Sequence, residues 1–507
     1  MVLALPALFI KSKKERDKRM LSVAEIKQFI AEDCASVKKL KAKEGQRYYD
    51  AEHDILNCRF FYFNDDGNLV EDKYRANNKI CHPFFTELSD QLSAYMLSFE
   101  KNPIQAKEKA EGLQEHLDNY FDDEFWAEIA DLISGTYNKG FEYIYAFKNA
   151  ENRLQFQCAD SMGVIEVREK DTDDGCKYII YWYIDRIAKD VKTVKKIQVW
   201  SESDTRYYEQ VDNGDIIEDA DAPINPRPHV VFTDKKSGQK MGFSLGYIPF
   251  WRLDLNRKQT SGLKPIKSLI DDYDMMQCGL SNNLTDFDTP LHVVKGYPDD
   301  NLDELQTNLK TKKIVGVDEE GGIEVHTVDI PYQARQAKAA DDEKNIYRFG
   351  MGFNTAGLKD TVATTNLVIK AAYALLDLKA DKLEIRLKRL LKQDIIKVVL
   401  AEINQENGTD YQMSDIEIKF TRSIITNERE NADIEKVKAD TEQVKVNTLL
   451  NVAASVGEEQ TLKALCEVLD WNYEDIKSAV EKAQEEADLA AAQNALNNVV
   501  IDEPIEE

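Results

Sequence analysis

Apolar residues recur every three to four positions through Leu263, Ile266, Leu269, Ile270, Tyr273, Met276, Leu280 and Leu284. That spacing puts them on one stripe and predicts a long, one-sided helix over 262–287. Pro290 closes it. Short β-branched runs follow at Leu291 to Val294, Ile314 to Val317 and Ile323 to Val328, with Asp318 to Gly322 as a turn and Asn301 to Lys313 as a helix. They predict a small inserted α/β module. Helical spacing resumes over 333–349. Gly350, Gly352 and Gly357 then loosen the backbone of 350–364. A further helical pattern from Thr365 to Gln405 spans about 60 Å at 1.5 Å per residue, too long to pack inside one compact domain.

Upstream, Ser22 and Glu25 form a capping-box pattern ahead of a helical stretch that reaches Tyr49. Phe60 to Phe63 reads as an aromatic strand, and His82 to Phe99, Ile104 to Tyr120 and Asp122 to Lys139 read as helices. After Gly140 the period changes from helical to alternating. Glu142 to Phe147, Leu154 to Cys158, Val164 to Arg168, Lys177 to Ile184, Lys195 to Trp200, Thr205 to Gln210 and His229 to Phe232 are short and rich in β-branched and aromatic residues. An antiparallel sheet is expected there, and the fold class is α+β. Gly246 to Arg252 leads into the long helix. Near the end, Asn407-Gly408 stops the second long helix, Asp415 to Thr421 makes one more strand, and 427–507 is helical and acidic.

With 507 residues the chain exceeds one core and should divide into two to four units. Lys and Arg total 66 against 92 Asp and Glu, a formal charge of -26. Sequence-specific DNA binding through a broad basic face is disfavoured, although a conduit works best when its wall does not hold phosphates. The segment 427–507 has 20 acidic and 7 basic residues, half of the excess charge, and its end trends towards disorder. Seven scattered cysteines show no zinc-type spacing and are expected as reduced thiols in the cytoplasm. No apolar run reaches the length of a membrane span, and the basic run Lys11 to Arg19 follows the apolar start where a secretory signal would have it first.

Candidate chemistry is sparse. Gly352 to Lys359 (GFNTAGLK) approaches a phosphate-binding loop, but Leu358 displaces the lysine and Asp360 the hydroxyl, so an NTPase is not indicated. Asp271, Asp272 and Asp274 form the densest acidic cluster of a predicted helix. Asp271 and Asp274 share a face at i, i+3 and are weak candidates to hold magnesium or calcium, without a third ligand. A solvated acidic face explains them better. Lys310, Lys312 and Lys313 make a small basic knot, explained by solubility. The six histidines stand alone and no nucleophile motif occurs, so neither catalysis nor a cofactor is expected.

The order helix, small module, helix, loose loop, long helix resembles the portal protein of long-tailed double-stranded DNA bacteriophages. Three stretches carry the likeness: 262–295 (GLKPIKSLIDDYDMMQCGLSNNLTDFDTPLHVVK), 367–384 (LVIKAAYALLDLKADKLE), and Asn77-Asn78-Lys79-Ile80 with Phe84, Asp90, Gln91, Tyr95 and Pro103. The resemblance implies an α+β wing, two stem helices, an α/β clip, a long kinked helix and a helical crown. Its assignments are an N-terminal tail at 1–21, wing at 22–261, stem helix at 262–287, clip at 288–332 and second stem helix at 333–349. Next come the tunnel loop at 350–364, long helix and wing strand at 365–426, crown at 427–487 and acidic tail at 488–507. It further implies a ring of twelve subunits at one capsid vertex. The partners implied are terminase, head-to-tail connector proteins, major capsid and scaffolding proteins and the packaged DNA, with assembly in the host cytoplasm. In that setting Asn354, Thr355, Lys359 and Thr361 would touch DNA transiently, Asp271, Asp272 and Asp274 would line the channel, and the basic knot could steer the DNA leaving the ring. Stiffening the loop by Gly352→Pro should spare assembly and lower packaging, whereas Asp at Leu269 and Tyr273 should leave monomers. The alternatives are a long-helix scaffold or adaptor without a channel, and a metal-dependent nuclease using the three aspartates.

Overall fold

The computed structural model describes residues 20–73, 75–149, 153–168, 175–185, 193–233, 240–287, 291–295, 322–326, 331–354, 366–422, 428–469, 471–473, 476–479, 482 and 489–490. The chain divides into a large unit, 1–360 with 372–424, and a smaller one, 361–371 with 425–507.

The large unit starts with α1 (Val23–Ala35) and α2 (Val37–Tyr49). Both halves of the capping box form, since Ser22 accepts from the Glu25 amide and the Glu25 carboxylate reaches the Ser22 amide at 2.9 Å. Ser36, in extended conformation, ends α1 and caps α2, so the predicted single stretch is two helices. Ile26 and Ile30, one turn apart, pack α1 onto a sheet core of Ile165, Val167, Ile180, Ile197 and Tyr208. That sheet is an antiparallel meander in the order Val164–Val167, Tyr178–Asp185, Val194–Trp200, Asp204–Val211 and Ile216–Glu218, with Arg227–Pro228 added beside Asp204. A second sheet pairs Phe250–Asp254 with Phe141–Lys148, and the latter with Leu154–Ala159. All seven predicted strands of this region are present, while the pairing of 250–254 was not foreseen.

The main core gathers α3 (Phe84–Met96), α4 (Leu113–Tyr120), α5 (Asp123–Lys139), the start of α6 (Lys267–Phe287), the end of α7 (Tyr332–Gly350), α8 (Asn366–Leu390) and α9 (Ile396–Asn407). The helix predicted from Ile104 is α4 alone. Ile104–Ala106 instead pairs antiparallel with Ile416–Ile418, and Gly112, at φ 76, allows the turn before α4. Between α8 and α9, Leu391–Ile395 forms one π turn in an otherwise continuous helix, a common origin of a local bend. Leu263 and Ile266, in the turn leading into α6, and Ile270 on α6 are buried in this core, and Leu269 and Tyr273 pack against it. The first half of the stripe is thus buried within the chain, so Asp at Leu269 or Tyr273 would bear on the fold as well as on any contact between copies, whereas Leu284 at the far end is 55% exposed.

Leu291–Lys295 and Gly322–His326 pair as a hairpin beyond α6. The predicted helix 301–313, with Lys310, Lys312 and Lys313, lies outside the described residues. In the smaller unit, α10 (Glu428–Val456) and α11 (Glu458–Val468) follow one another through Gly457. Among the described residues no helix is long and apolar enough to cross a membrane.

Candidate functional site

The residues 76–82 run along α6 as a segment outside any sheet, whose alternate amides are held by helix side chains. The Ala76 amide donates to Asp286 Oδ1 at 2.9 Å, Asn78 to Asn282 Oδ1 at 2.6 Å, Ile80 to Cys278 Sγ at 3.2 Å and His82 to Asp274 Oδ1 at 3.0 Å. Two residues of extended chain advance about 6.6 Å and four of helix about 6 Å, so both elements keep step over four rungs. The opposite edge is anchored as well. Asn77 Nδ2 donates to the Cys58 carbonyl at 3.2 Å and Lys79 Nζ to that of Leu56 at 2.7 Å.

The three aspartates of α6 do not converge. Asp271 accepts from the Tyr48 hydroxyl and from Lys267 Nζ, the latter at 2.8 Å. Burial and that carboxylate raise the Tyr48 pKa. Asp272 pairs with Lys338 of α7, which also binds Asp342. Asp274 is 0% exposed, between His53 Nδ1 at 2.6 Å and His82 Nδ1 at 2.7 Å. Burial works to raise its pKa, and the hydrogen bonds from His53 and His82 outweigh it, so the carboxyl titrates below its ordinary value. Two expectations are corrected here. Asp274 is not on a solvated face, because successive i, i+3 carboxylates meet different neighbours, and Asp271 with Asp274 is not a joint cation site.

The entry to the loop after α7 is tightly held. Its glycines serve close packing: a Cβ on Gly350 would lie 2.6 Å from Leu88 Cδ1, and one on Gly352 would lie 2.0 Å from Leu88 Cδ2. The left-handed residue is Met351, at φ 53. The Gly352 amide donates to the Tyr347 carbonyl at 2.9 Å, so proline there would remove a bond closing the helix. Gln91 clasps Phe353 at two points, donating to its carbonyl at 2.8 Å and accepting from its amide at 3.0 Å. Phe353 stacks on Tyr373 at 4.4 Å, and Tyr373 on Tyr95 at 5.7 Å. From α8, Lys379 Nζ reaches the Gly350 carbonyl at 3.0 Å, and burial without a carboxylate lowers its pKa to about 7. Asn354 Nδ2 donates to Glu343 Oε1 at 3.1 Å. Thr355, Lys359 and Thr361 lie outside the described residues.

Sequence reasoning missed His53, Cys81, Leu88 and Lys379. Their roles depend on contacts across tens to hundreds of residues, and a lone histidine or lysine carries no local pattern. The Asn78, Ile80, Gln91 and Tyr95 positions were singled out, and the structure places them in the ladder and at the loop entry.

Comparison with known proteins covers most of this framework. The family described as phage portal protein, SPP1 Gp6-like, matches residues 29–491. The portal protein of Bacillus phage SPP1 is 25% identical over 389 residues, covering 76% of this chain and 75% of that one. The portal protein of Clostridium phage phiCD119 is 23% identical over 444 residues, covering 82% and 89%. The match takes in the α6 ladder, the loop entry and the π-interrupted helix together, and the chain belongs to the SPP1 Gp6-like family of phage portal proteins.

Proposed function

We propose that copies of this chain close into a ring at one capsid vertex, with double-stranded DNA passing through its centre during packaging and ejection. The family is structural rather than catalytic and contributes to the virion capsid. The observation that carries the reading is the family match over residues 29–491. Twelve copies, as the resemblance implies, would surround the channel. Terminase and the head-to-tail connectors would dock around 288–332, and the capsid and scaffolding proteins on 22–261. The nuclease reading loses its basis with the divergence of Asp271, Asp272 and Asp274 into separate partners.

The tunnel loop, 350–364, would reach into the channel from the base that Gln91, Leu88 and Lys379 hold at Gly350 to Phe353. Asn354, Thr355, Lys359 and Thr361 would supply weak phosphate contacts that touch and release, because one lysine per subunit grips far less than a basic cluster. Electron microscopy of the purified full-length protein should show rings with a central hole; rods or single copies would favour the adaptor. A Gly357→Pro variant should retain rings and lose packaged DNA per head, and normal packaging by that variant would overturn the loop assignment alone.

A further inference from the structure

We propose that His53, Cys81 and Asp274 form a binding site for a divalent zinc-class metal ion, which fastens the 53–81 segment to α6. One ligand atom from each of the three residues lies within 4.8 Å of the others. They come from three separate places: the residue before the turn Asp54–Asn57, the end of the 76–82 segment, and the first rung position of α6. His53 and Asp274 are both 0% exposed, whereas the Cys81 side is partly open and gives an ion a route in.

The ladder uses only one oxygen of Asp274. His82 donates its amide to Oδ1 and sets its ring Nδ1 2.7 Å from the same atom, leaving Oδ2 to face His53. The His53 ring is fixed by stacking on Tyr48 at 4.5 Å, and its Nε2 lies 3.3 Å from the Tyr48 carbonyl. Nδ1 lies 2.6 Å from Asp274 Oδ2, so a metal bound there would take the place of the proton shared between them, while Nε2 keeps its proton for the Tyr48 carbonyl. Donation of the distal N–H to a backbone carbonyl is also the usual way a metal-binding histidine is oriented.

The charges match a divalent ion. Asp274 brings one negative charge, Cys81 another once its proton is displaced by the metal, and neutral His53 none, so the buried group becomes neutral overall. Thiolate and imidazole select zinc or a similar borderline ion over magnesium or calcium, which take oxygen ligands. His82 then orients the carboxylate from its second oxygen, and the fourth position opens towards the Cys81 side. With metal–ligand bonds of about 2.0–2.2 Å the His53 nitrogen and Asp274 oxygen would stand about 3.3 Å apart, against 2.6 Å here, an opening that small side-chain rotations supply. The other acidic group, Glu209, Asp219 and Asp221, already surrounds the Lys196 ammonium and has no vacancy for an ion.

The test uses the full-length protein, untagged, with zinc content measured by mass spectrometry and cobalt(II) added as a spectroscopic probe. Expected are about one zinc per chain and a cobalt–thiolate charge-transfer band, both lost in Cys81→Ser and kept in Cys34→Ser, whose cysteine is exposed elsewhere. Asp274→Asn should weaken zinc binding at least tenfold, and Cys81→Ser supplies the test if Asp274→Asn fails to fold. Absence of the band in the wild-type protein, or a band unchanged by Cys81→Ser, overturns the proposal and leaves a hydrogen-bonded His–Asp–His group.

Discussion

The helix pair α8–α9 and the helix α10 are built from similar residues and end in opposite states. Along α8–α9, Leu376, Ala380, Leu383, Leu387, Leu391, Ile395, Val399 and Ile403 are all buried in the main core. Along α10, Val437, Val444, Leu450, Val452 and Val456 are exposed, and no residue of α10 whose exposure is described is buried. Charge accounts for part of the contrast, since 427–507 carries half of the chain's negative excess. The larger part is supply of partners: α8–α9 meets α3, α5 and the strands at Ile104 and Ile416, whereas α10 has α11 beside it. One helix is stabilised inside a single chain, and the other keeps its described apolar residues exposed.

The sharpest test of this contrast is Leu387→Ala, which should cost about 2–5 kcal/mol because Leu387 is 0% exposed and the cavity cannot collapse. Urea unfolding followed by tryptophan fluorescence measures it, and a loss as small as a surface substitution would break the comparison.

A second test concerns the one ammonium buried on that face. The folded-state pKa of Lys379 is about 7 against an ordinary 10.5, so between those values the unfolded chain holds more protons than the folded one. Stability must rise with pH across that window, and the burial penalty is fully present below pH 7. Lys379→Met should therefore be most stable relative to wild type at pH 6, with the gap narrowing towards pH 10. Melting temperatures of both proteins across that range decide it; a constant gap would show that Lys379 holds the same proton in the folded and unfolded chains, so that burial does not lower its pKa.

The smallest effect is expected at Val444→Ala, within about 0.5 kcal/mol of wild type for the unassembled chain, because Val444 is 64% exposed. Val444→Asp should likewise leave the chain folded by circular dichroism and reduce the proportion of rings in sedimentation. A chain unfolded by either change would mean that α10 is already packed within its own copy.

Local patterns in the sequence were sufficient wherever neighbours along the chain decide the structure. The Ser22–Glu25 box, the seven strands from Phe141 onwards and the α6 stripe were legible because capping, alternation and helical period are properties of short windows. Illegible were the pairing of Ile104 with Ile418, the burial of Asp274 between two histidines, and the packing reason for Gly350 and Gly352. Each is set by a residue far away in sequence. The three glycines of 350–364 suggested freedom, yet a glycine can equally mark a place where another side chain presses against the backbone, as Leu88 does.

The ladder on α6 also has a mechanical meaning. Its rungs repeat every two residues on the segment and every four on the helix, so the segment cannot slide by one residue without losing all four bonds together. A pull directed along the helix axis loads the rungs in parallel, as in shear, and the weakest need not fail first. A pull perpendicular to the axis peels them one by one, starting at Ala76 or at His82. The seam between 76–82 and α6 is therefore stiff along α6 and soft across it.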